Sequence, residues 1–357
     1  MIEIAIICST FNRSKQLSRH LWTLAHQDYP LDECVFIIVD DGSVDDTQQT
    51  IDTFFEAHPH LKFVNLLTNR KSNNYFGGHG IVLNLGLRYA EELGAEYVFL
   101  TGGDILWPSY ALRKHMAVHQ NSGKRAEIIV EHLEFITSSE SDRAKSTHYY
   151  PELETKTEQE IRELVYSTGV DVMIGPKIRW IRPDHQSLGN NINELAAIPD
   201  RYDWRPPEKL INQPEAFRLE PFPDGGHIHL GYTDEIPSSD RYHTTAPDLL
   251  SCKLKYWLDF GGWDESGTGH FYEDFQLVQR LHKYIKYRID NKVYPLFLPI
   301  VHPSVECYHQ PHPRQLSHCN HRIFMDNVEK CGYDVNKGQG LDWGKCPHEV
   351  RNIKIRS

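Results

Sequence analysis

Residues 3–24 read EIAIICSTFNRSKQLSRHLWTL, and residues 36–51 read FIIVDDGSVDDTQQTI. Each stretch opens with an apolar run rich in β-branched residues, passes through a polar turn, and continues toward a helix. The first predicts a strand over 3–8, a turn over 9–12 and a helix carrying Leu17, Leu21 and Leu24. The second predicts a strand over 35–39, a turn over 40–43 and a helix from near Thr47, capped by Asp45 or Asp46.

The same alternation continues along the chain. A strand is expected over 63–66, a helix carrying Leu83, Leu87 and Ala90 follows, and another strand is expected over 97–101. Strands that alternate with helices at short separations predict an α/β fold with a parallel, doubly wound sheet. Ligands of such sheets gather at the carboxyl ends of the strands, so residues 9–12, 40–43 and 101–104 form the predicted binding edge.

Composition excludes several classes of protein. The 357 residues carry 38 Lys plus Arg against 49 Asp plus Glu, a formal charge of -11, which argues against a nucleic-acid partner. The apolar stretches are of strand length, and the start of the sequence lacks the basic and apolar regions of a signal peptide. The seven cysteines have no CxxC spacing, so reduced thiols are expected. We therefore expect a cytoplasmic protein, with at most peripheral contact at the inner face of a membrane.

Composition and apolar periodicity change along the chain and divide it into four segments. Residues 1–135 are the predicted ligand-binding half, and residues 136–247 are an irregular insertion with a charged helix over 152–165. Residues 248–313 return to regular structure, with a helix over 273–285. Residues 314–357 form a tail that is expected to be helical to Cys331 and loose beyond it.

The two opening stretches resemble family 2 glycosyltransferases with a GT-A fold. The resemblance implies a Rossmann-like, mostly parallel twisted sheet flanked by helices, with the insertion facing the acceptor. It implies that Asp41 reads a uracil base and that Asp40 supports it. The other residues that it places around the nucleotide are Ser9, Thr10, Phe11, Asn12, Arg13, Gly80, Asn84 and Gly103. The alternative is that Asp40 and Asp41 only cap and turn the chain.

Residues 83–100 also look like the family's helix and strand that lead to an Asp-any-Asp metal motif. Here residues 101–105 read TGGDI, so a single carboxylate, Asp104, remains. An ungapped match places Asp104 one position past the motif's second Asp, while a shift of one residue makes it that Asp. A divalent cation, Mn²⁺ or Mg²⁺, needs only one or two protein carboxylates because phosphates and waters complete its shell. The alternative is that the metal requirement is weakened or lost.

Histidines follow in residues 301–315, VHPSVECYHQPHPRQ. The family's metal-dependent members carry a histidine after the catalytic helix, and His309 matches that position best. Its imidazole would supply a ligand in place of the missing carboxylate. His302 is a weaker candidate, and for both residues the alternative is a hydrogen-bonded structural role. Zinc is disfavoured because no cysteine stands at a suitable interval.

Residues 249–283 resemble the family's Gly-Gly-aromatic-Asp-Glu segment followed by Glu-Asp at a helix start. By this resemblance Asp274 is the general base that takes the acceptor's proton, and Glu273 holds the acceptor or tunes its neighbour. The alternative is a favourable dipole arrangement of two carboxylates at a helix N-terminus. The residues that it places at the donor or acceptor sugar are Gly261, Gly262, Trp263, which would wall the sugar pocket, and Asp264.

The predicted function is therefore that of an inverting, metal-dependent, hexosyltransferase-like enzyme. It would move a sugar from a nucleoside diphosphate sugar, with UDP as the expected nucleotide, onto a hydroxyl of a glycan or glycolipid, in polysaccharide biosynthesis. Two alternatives stay open: a retaining transferase on the same fold, and an inactive module that binds a nucleotide sugar or a glycan. A dinucleotide-dependent dehydrogenase is disfavoured because the turn CSTFNR lacks the Gly-x-Gly-x-x-Gly fingerprint.

Overall fold

The computed structural model describes residues 2–68, 79–131, 153, 156–180, 249–265, 272–310 and 343–355. Within these ranges the strands form one nine-stranded sheet in the order β5-β8-β6-β7-β4-β1-β2-β3-β9. The strands are β1 (Ile4–Thr10), β2 (Cys34–Asp40), β3 (Phe63–Thr68), β4 (Tyr97–Gly102), β5 (Ile105–Leu106), β6 (Val170–Trp180), β7 (Ser251–Lys253), β8 (Leu296–His309) and β9 (His348–Lys354).

The central strands are parallel. β1 pairs in parallel with β2 and β4, β2 with β3, and β6 with β8. The antiparallel pairs are β3 with β9, β4 with β7, β5 with β8 and β6 with β7. Because β7 runs against both β4 and β6, the β6–β8 pair points the same way as β1 and β4. The carboxyl ends of β1, β2, β4 and β8 therefore lie at one edge of the sheet.

Helices cover both faces of this sheet. They are α1 (Ser14–Ala25), α2 (Thr47–Ala57), α3 (His79–Glu92), α4 (Ala111–His119), α5 (Ser122–Glu131), α6 (Glu158–Thr168), α7 (Leu254–Phe260) and α8 (Tyr272–Asp290). Alternate residues of β1 point to opposite faces, as the pleat requires. Ile4 and Ile6 pack with α1 and α2, while Ala5 and Ile7 pack with α3 and α7. The sheet is thus sandwiched between two apolar layers, and the predicted doubly wound α/β architecture is confirmed.

The boundaries show where the sequence pattern was incomplete. The helix expected over 152–165 is observed from Glu158, because Thr157 accepts a hydrogen bond from the backbone of Glu160 and Glu160 bonds back, forming a capping box. The end of the chain, expected to be loose, forms β9 along the edge strand β3. Most of the insertion and the predicted helix over 314–331 lie outside the described residues. Among the described residues, none of the helices has the length and apolarity that crossing a bilayer requires.

A cluster of buried histidines lies between helix α4 and the sheet. The hydroxyl of Ser251 is 2.8 Å from His115 Nδ1 and 2.8 Å from His119 Nε2. The ring of His302 stacks on that of His115 with centroids 5.7 Å apart. Burial lowers the pKa of His119 to about 3 and holds the pKa of His115 well below its usual value. His302, a weaker metal candidate from the sequence, is thus a packing residue of this cluster.

We expect stability to fall with pH below about 6.5, the pKa of an unfolded histidine. His115, His119 and His20, whose pKa burial lowers to about 4, stay neutral when folded, whereas the unfolded chain takes up the protons. Each such histidine lowers the free energy of unfolding by about 2 kcal/mol as the pH falls from 6.5 to 5. Urea titrations at pH 7.5, 6 and 5 measure this slope.

The variant His119→Gln keeps a polar partner for Ser251 and removes one titrating group, so its slope should be shallower. The matched control is His60→Gln, since His60 is exposed. Equal slopes for the two variants would show that His119 does not contribute.

Candidate active site

The predicted turns meet at the carboxyl edge of the sheet. In the strand register Thr10 lies opposite Asp40, and Ser9 lies opposite Gly102. The backbone N–H of Gly103 donates to the carbonyl of Ser9 at 2.9 Å, and that of Asp41 donates to the carbonyl of Thr10 at 2.9 Å. The ends of β1, β2 and β4 are thus joined by main-chain hydrogen bonds beyond the strands themselves.

The two aspartates of the second turn have different partners. The carboxylate of Asp40 accepts hydrogen bonds from Ser43 N at 2.9 Å, Ser43 Oγ at 2.6 Å and Gln48 Nε2 at 2.6 Å. Burial raises the pKa of Asp40, and these three donors oppose that effect. Asp41 is also buried and accepts a hydrogen bond from Thr68 Oγ1 at 2.9 Å. Asp40 therefore stabilises the turn over residues 40–43 through these hydrogen bonds. The role of Asp41 in binding the base stays a prediction.

The first turn is locked to the second by reciprocal contacts. Asn12, at φ 48°, donates its backbone N–H to Ser43 Oγ at 2.7 Å, and its side-chain oxygen accepts from Val44 N at 2.8 Å. Phe11 and Ser9 are buried, and Ser9 Oγ lies 3.4 Å from His79 Nδ1. Within the described part of the chain, the buried hydroxyl of Thr10 has no hydrogen-bond partner, which leaves it able to bind a ligand.

Gly103 is required by this crossing. A Cβ at position 103 would lie 2.9 Å from Thr10 Oγ1 and 3.1 Å from Thr10 Cβ, closer than side chains tolerate. The glycine therefore allows β4 to turn tightly beside β1, and the next residue, Asp104, emerges at the binding edge.

Asp104 and His309, the predicted metal ligands, are brought together by the sheet. Ile105 of β5 pairs with His309 of β8, and the N–H of Gln310 donates to the carbonyl of Asp104 at 2.9 Å. His309 Nε2 then lies 3.7 Å from Asp104 Oδ2. Arg13 forms an ion pair with the same carboxylate oxygen through Nη1. The sequence predicted Arg13 near the nucleotide but did not predict this contact with Asp104.

The donor set fits a hard divalent cation in part. Asp104 and His309 offer one carboxylate and one imidazole, which suit Mn²⁺ or Mg²⁺ when phosphate oxygens and waters supply the remaining ligands. Among the residues that the structure describes, there is no group of three or more His, Cys, Asp or Glu side chains able to hold a metal. In the described part of the chain, Asp104 and His309 are thus the two side chains that would be offered to such a cation.

The segment 261–265 is fastened to α3 by Asn84. The side-chain oxygen of Asn84 accepts from Trp263 N at 2.8 Å, and its Nδ2 donates to the carbonyl of Trp263 at 2.8 Å and to Glu265 Oε1 at 2.7 Å. Asn84 is fully buried. Its amide is therefore engaged within the protein, and the contact of Asn84 with the nucleotide stays a prediction.

Trp263 packs the core beneath the site. Its side chain is fully buried and stacks on Trp257 with centroids 4.3 Å apart. A Cβ added to Gly80 would lie 2.5 Å from Trp263 Cβ, so Gly80 lets α3 approach this ring. Both residues are thus packed inside the protein in this conformation, and the expected roles of Trp263 at the sugar and of Gly80 at the nucleotide stay predictions. Asp264 is buried beside it.

Two residues that sequence reasoning missed hold the segment from other sides. Glu265 Oε1 also accepts from the backbone N–H of Gly344 at 2.7 Å, which ties the C-terminal segment to the site. Arg280 of α8 is fully buried and donates from Nη2 to the carbonyls of Phe260 at 2.5 Å and Gly262 at 2.8 Å. The Glu in GGWDE and the Arg seven residues after Glu273 were visible in the sequence, but nothing in their spacing indicated these partners.

Glu273 and Asp274 lie in the first turn of α8, at its N-terminal end. Their side chains fall outside the described part, so their catalytic roles stay predictions. Arg280 nevertheless joins their helix directly to the carbonyls of Phe260 and Gly262. These carbonyls flank Gly261, and Gly261 and Gly262 have positive φ values of 81° and 63°. The two motifs that the sequence separates thus form one connected unit.

We expect Asn84→Asp to destabilise the protein by about 2–4 kcal/mol. The replacement puts a carboxylate oxygen where the amide N–H groups face the Trp263 carbonyl and Glu265, so hydrogen bonds become repulsions. Urea denaturation followed by circular dichroism measures the change.

The control is Asn121→Asp, because the side-chain oxygen of Asn121 accepts from Lys124 N at the surface and an aspartate preserves that bond. If Asn84→Asp were as stable as this control, the fastening of the 261–265 segment would be of no consequence.

Part of the chain matches a known protein family. Residues 5–175 match the sequence model described as Glycosyl transferase family 2. A 104-residue stretch is 33% identical to poly(ribitol-phosphate) β-N-acetylglucosaminyltransferase TarS of Staphylococcus aureus strain Mu50, covering 29% of this chain and 16% of that protein. The matched stretch is thus a minor part of that curated relative.

Solved structures with a similar fold have low sequence identity. Residues 1–349 of S. aureus TarS in complex with UDP-GlcNAc align with 15% identity and a TM-score of 0.49, over 95% of this chain and 69% of that chain. The mannosyltransferase PcManGT of Pyrobaculum calidifontis, in complex with GDP-Man and Mn²⁺, aligns with 15% identity and a TM-score of 0.42, over 86% and 56%.

Proposed function

We propose that the chain transfers a sugar from a UDP-linked donor to a hydroxyl of a glycan or glycolipid, with inversion; the match of residues 5–175 to glycosyl transferase family 2 supports this. The observation that carries the proposal is the meeting of the β1, β2 and β4 turns with Asp104 and His309 at one edge of the sheet. This edge is where ligands of open α/β sheets bind.

The nucleotide would lie across the turns of β1 and β2. Asp41 would accept the uracil N3–H, supported by the turn that Asp40 folds through Ser43 and Gln48. The unpartnered hydroxyl of Thr10 would face the phosphates, with Arg13 beside it as a cationic donor. The name of the matched TarS enzyme includes N-acetylglucosaminyl transfer, which makes UDP-N-acetylglucosamine the first donor to test.

Asp104 and His309 would hold a divalent cation against the diphosphate. The bound cation supplies neutralisation of the charge that develops on the leaving diphosphate. The protein's part is to fix the two ligands, which the β5–β8 pairing and the Gln310–Asp104 hydrogen bond do before any ligand arrives. Preformed ligands lower the reorganisation needed during the reaction.

Asp274 would act as the general base, taking the acceptor's proton as the hydroxyl attacks the anomeric carbon from the face opposite the diphosphate. Glu273 would hold the acceptor. The support for these roles is the position of both residues in the first turn of α8, which Arg280 fixes to the Gly261–Gly262 turn. Residues 136–247 and 248–313 would then supply the acceptor side, and residues 1–135 the donor side.

We place the reaction in the cytoplasm, at the inner face of the membrane when the acceptor is a glycolipid. In the described ranges Cys8, Cys34 and Cys252 are free, buried thiols, as expected in a reducing compartment. The acceptor is assigned to polysaccharide biosynthesis through the family alone.

An inactive nucleotide-sugar-binding module is the second candidate. The observation that favours it is that the one carboxylate at the metal position is already paired with Arg13. Such a module would bind UDP but would not release it from a donor sugar.

Isothermal titration with UDP, with and without Mn²⁺, tests the donor site. We expect metal-dependent binding that weakens at least about tenfold in Asp104→Asn and in His309→Gln, since each variant removes a ligand. The control Asp28→Asn removes a surface carboxylate that pairs with Arg113. If UDP binds all three variants as tightly as the wild type, Asp104 and His309 are not ligands of the cation.

Turnover of UDP-N-acetylglucosamine and other UDP sugars, measured by UDP release, tests the base. We expect Asp274→Asn to lower kcat about 100-fold or more while the Kd of UDP changes little, because a general base acts only in the transition state. The control on the same helix is Asp290→Asn, whose residue pairs with Lys286 at the exposed end.

Unchanged turnover in Asp274→Asn would contradict the assigned base. Turnover absent from the wild type with every donor, despite UDP binding, would favour the inactive module. The anomeric configuration of the product, read by NMR, separates inversion from retention.

A further inference from the structure

The carboxylate of Asp104 has two neighbours of different kinds. Arg13 Nη1 forms an ion pair with Oδ2, and His309 Nε2 lies 3.7 Å from the same oxygen. All three side chains are largely enclosed, with exposed fractions of 23% for Arg13, 14% for Asp104 and 12% for His309. The guanidinium thus lies against the oxygen that a divalent cation would bind.

We propose that Arg13 takes the place of the cation in the donor-free protein and releases Asp104 only when a diphosphate arrives to accept the guanidinium. This inference rests on the proposed function and adds to it the order in which the ligands bind. The cation alone binds poorly, and the cation and the nucleotide diphosphate bind together.

The charges at the site explain this order. In the donor-free state the guanidinium of Arg13 offsets the charge of the Asp104 carboxylate, so this carboxylate attracts a divalent ion less strongly. A cation that binds Asp104 must displace Arg13 and then remain close to its positive charge, which is unfavourable in a partly enclosed site. A diphosphate supplies negative oxygens to both, and a guanidinium binds phosphate and carboxylate oxygens with the same planar fork of donors.

The main chain is arranged so that only side chains need to move. Arg13 immediately precedes α1, and its backbone N–H donates to Thr47 Oγ1 at 3.3 Å. Asp104 is held through its carbonyl by Gln310 N at 2.9 Å, and its neighbour Ile105 accepts at its carbonyl a contact of 2.5 Å with His20 Nδ1. A rotation of the Arg13 side chain therefore frees the carboxylate without disturbing β1 or β5.

Thermodynamic linkage turns this exchange into a measurable coupling. If UDP raises the affinity for Mn²⁺ by some factor, Mn²⁺ raises the affinity for UDP by the same factor. Removing Arg13 removes the competitor for Asp104, so the affinity for Mn²⁺ alone should rise and the coupling factor should fall. A purely structural role for Arg13 would weaken both ligands and leave the coupling unchanged.

The experiment measures free Mn²⁺ by electron paramagnetic resonance in titrations of the full chain, with and without UDP. For the wild type we expect UDP to tighten Mn²⁺ binding by about 10-fold or more. For Arg13→Ala we expect Mn²⁺ alone to bind about 5- to 10-fold more tightly and the coupling factor to fall below about 3. The control is Arg113→Ala, which frees the surface carboxylate of Asp28 instead.

Arg13→Lys keeps a positive charge and should retain most of the wild-type coupling. If Arg13→Ala does not fold, as judged by circular dichroism, Arg13→Gln takes its place. Coupling in Arg13→Ala equal to that of the wild type would overturn the inference and leave the proposed function standing. Coupling lost equally in the Ala and Lys variants would also overturn it, because charge would not be the cause. Absence of UDP binding in the wild type would instead overturn the proposed function itself.

Discussion

The antiparallel pairing of β5 with β8 is the contact on which the candidate site depends. It is short, joining Ile105 with His309 and Leu106 with Tyr308, yet it places two side chains from distant parts of the sequence beside each other. Helix α1 stabilises this ribbon from one side: Gln310 Nε2 donates to the carbonyl of Gln16 at 3.0 Å. Because β5 follows directly after β4 in the chain, the position of Asp104 between them is determined by the central sheet.

A second constraint operates through buried polar groups rather than through strand pairing. Asn84 of α3 and Arg280 of α8 hydrogen-bond the backbone of the 260–265 turn, and Glu265 of the turn itself accepts from Asn84 and from Gly344 N. Each of the three side chains is costly to bury without partners, so each strongly favours the one arrangement in which its hydrogen bonds are made. The 260–265 turn is thereby held in one conformation, although its two glycines would otherwise make it flexible.

Much of the fold was predictable because it repeats a local pattern. The strands β1 to β4 and the helices between them follow from apolar periodicity and turn residues, and these elements were expected where they are observed. The edge strand β9 was missed because HEVRNIK pairs on one side only and carries mostly exposed side chains, so its apolar alternation is weak. The pairing of Asp104 with His309 was anticipated through the family resemblance, and its geometric cause, the β5–β8 ribbon, was not.

Three residues of the predicted ligand motifs have partners that the sequence did not indicate. Asn84, Gly80 and Trp263 stand in motifs that suggested contact with a ligand, and each is buried against another of the three. A sequence motif shows that residues belong together without showing which face of them is open. The ion pair of Arg13 with Asp104 was likewise not indicated by the sequence, because only the folded register of β1 beside β4 brings the two side chains together.

The course of residues 343–355 has a consequence for how the fold is protected. These residues supply β9 to the edge of β3, pack Gly344 against Asn84 and place Arg88 over the ring of Trp343 at 3.9 Å. A sheet edge and the α3 surface near the start of the sequence are therefore completed by residues that lie far away along the chain. While this segment is undocked, β3 exposes an open strand edge, which is a template for association with other chains. Docking of residues 343–355 thus guards the sheet against association as well as extending it.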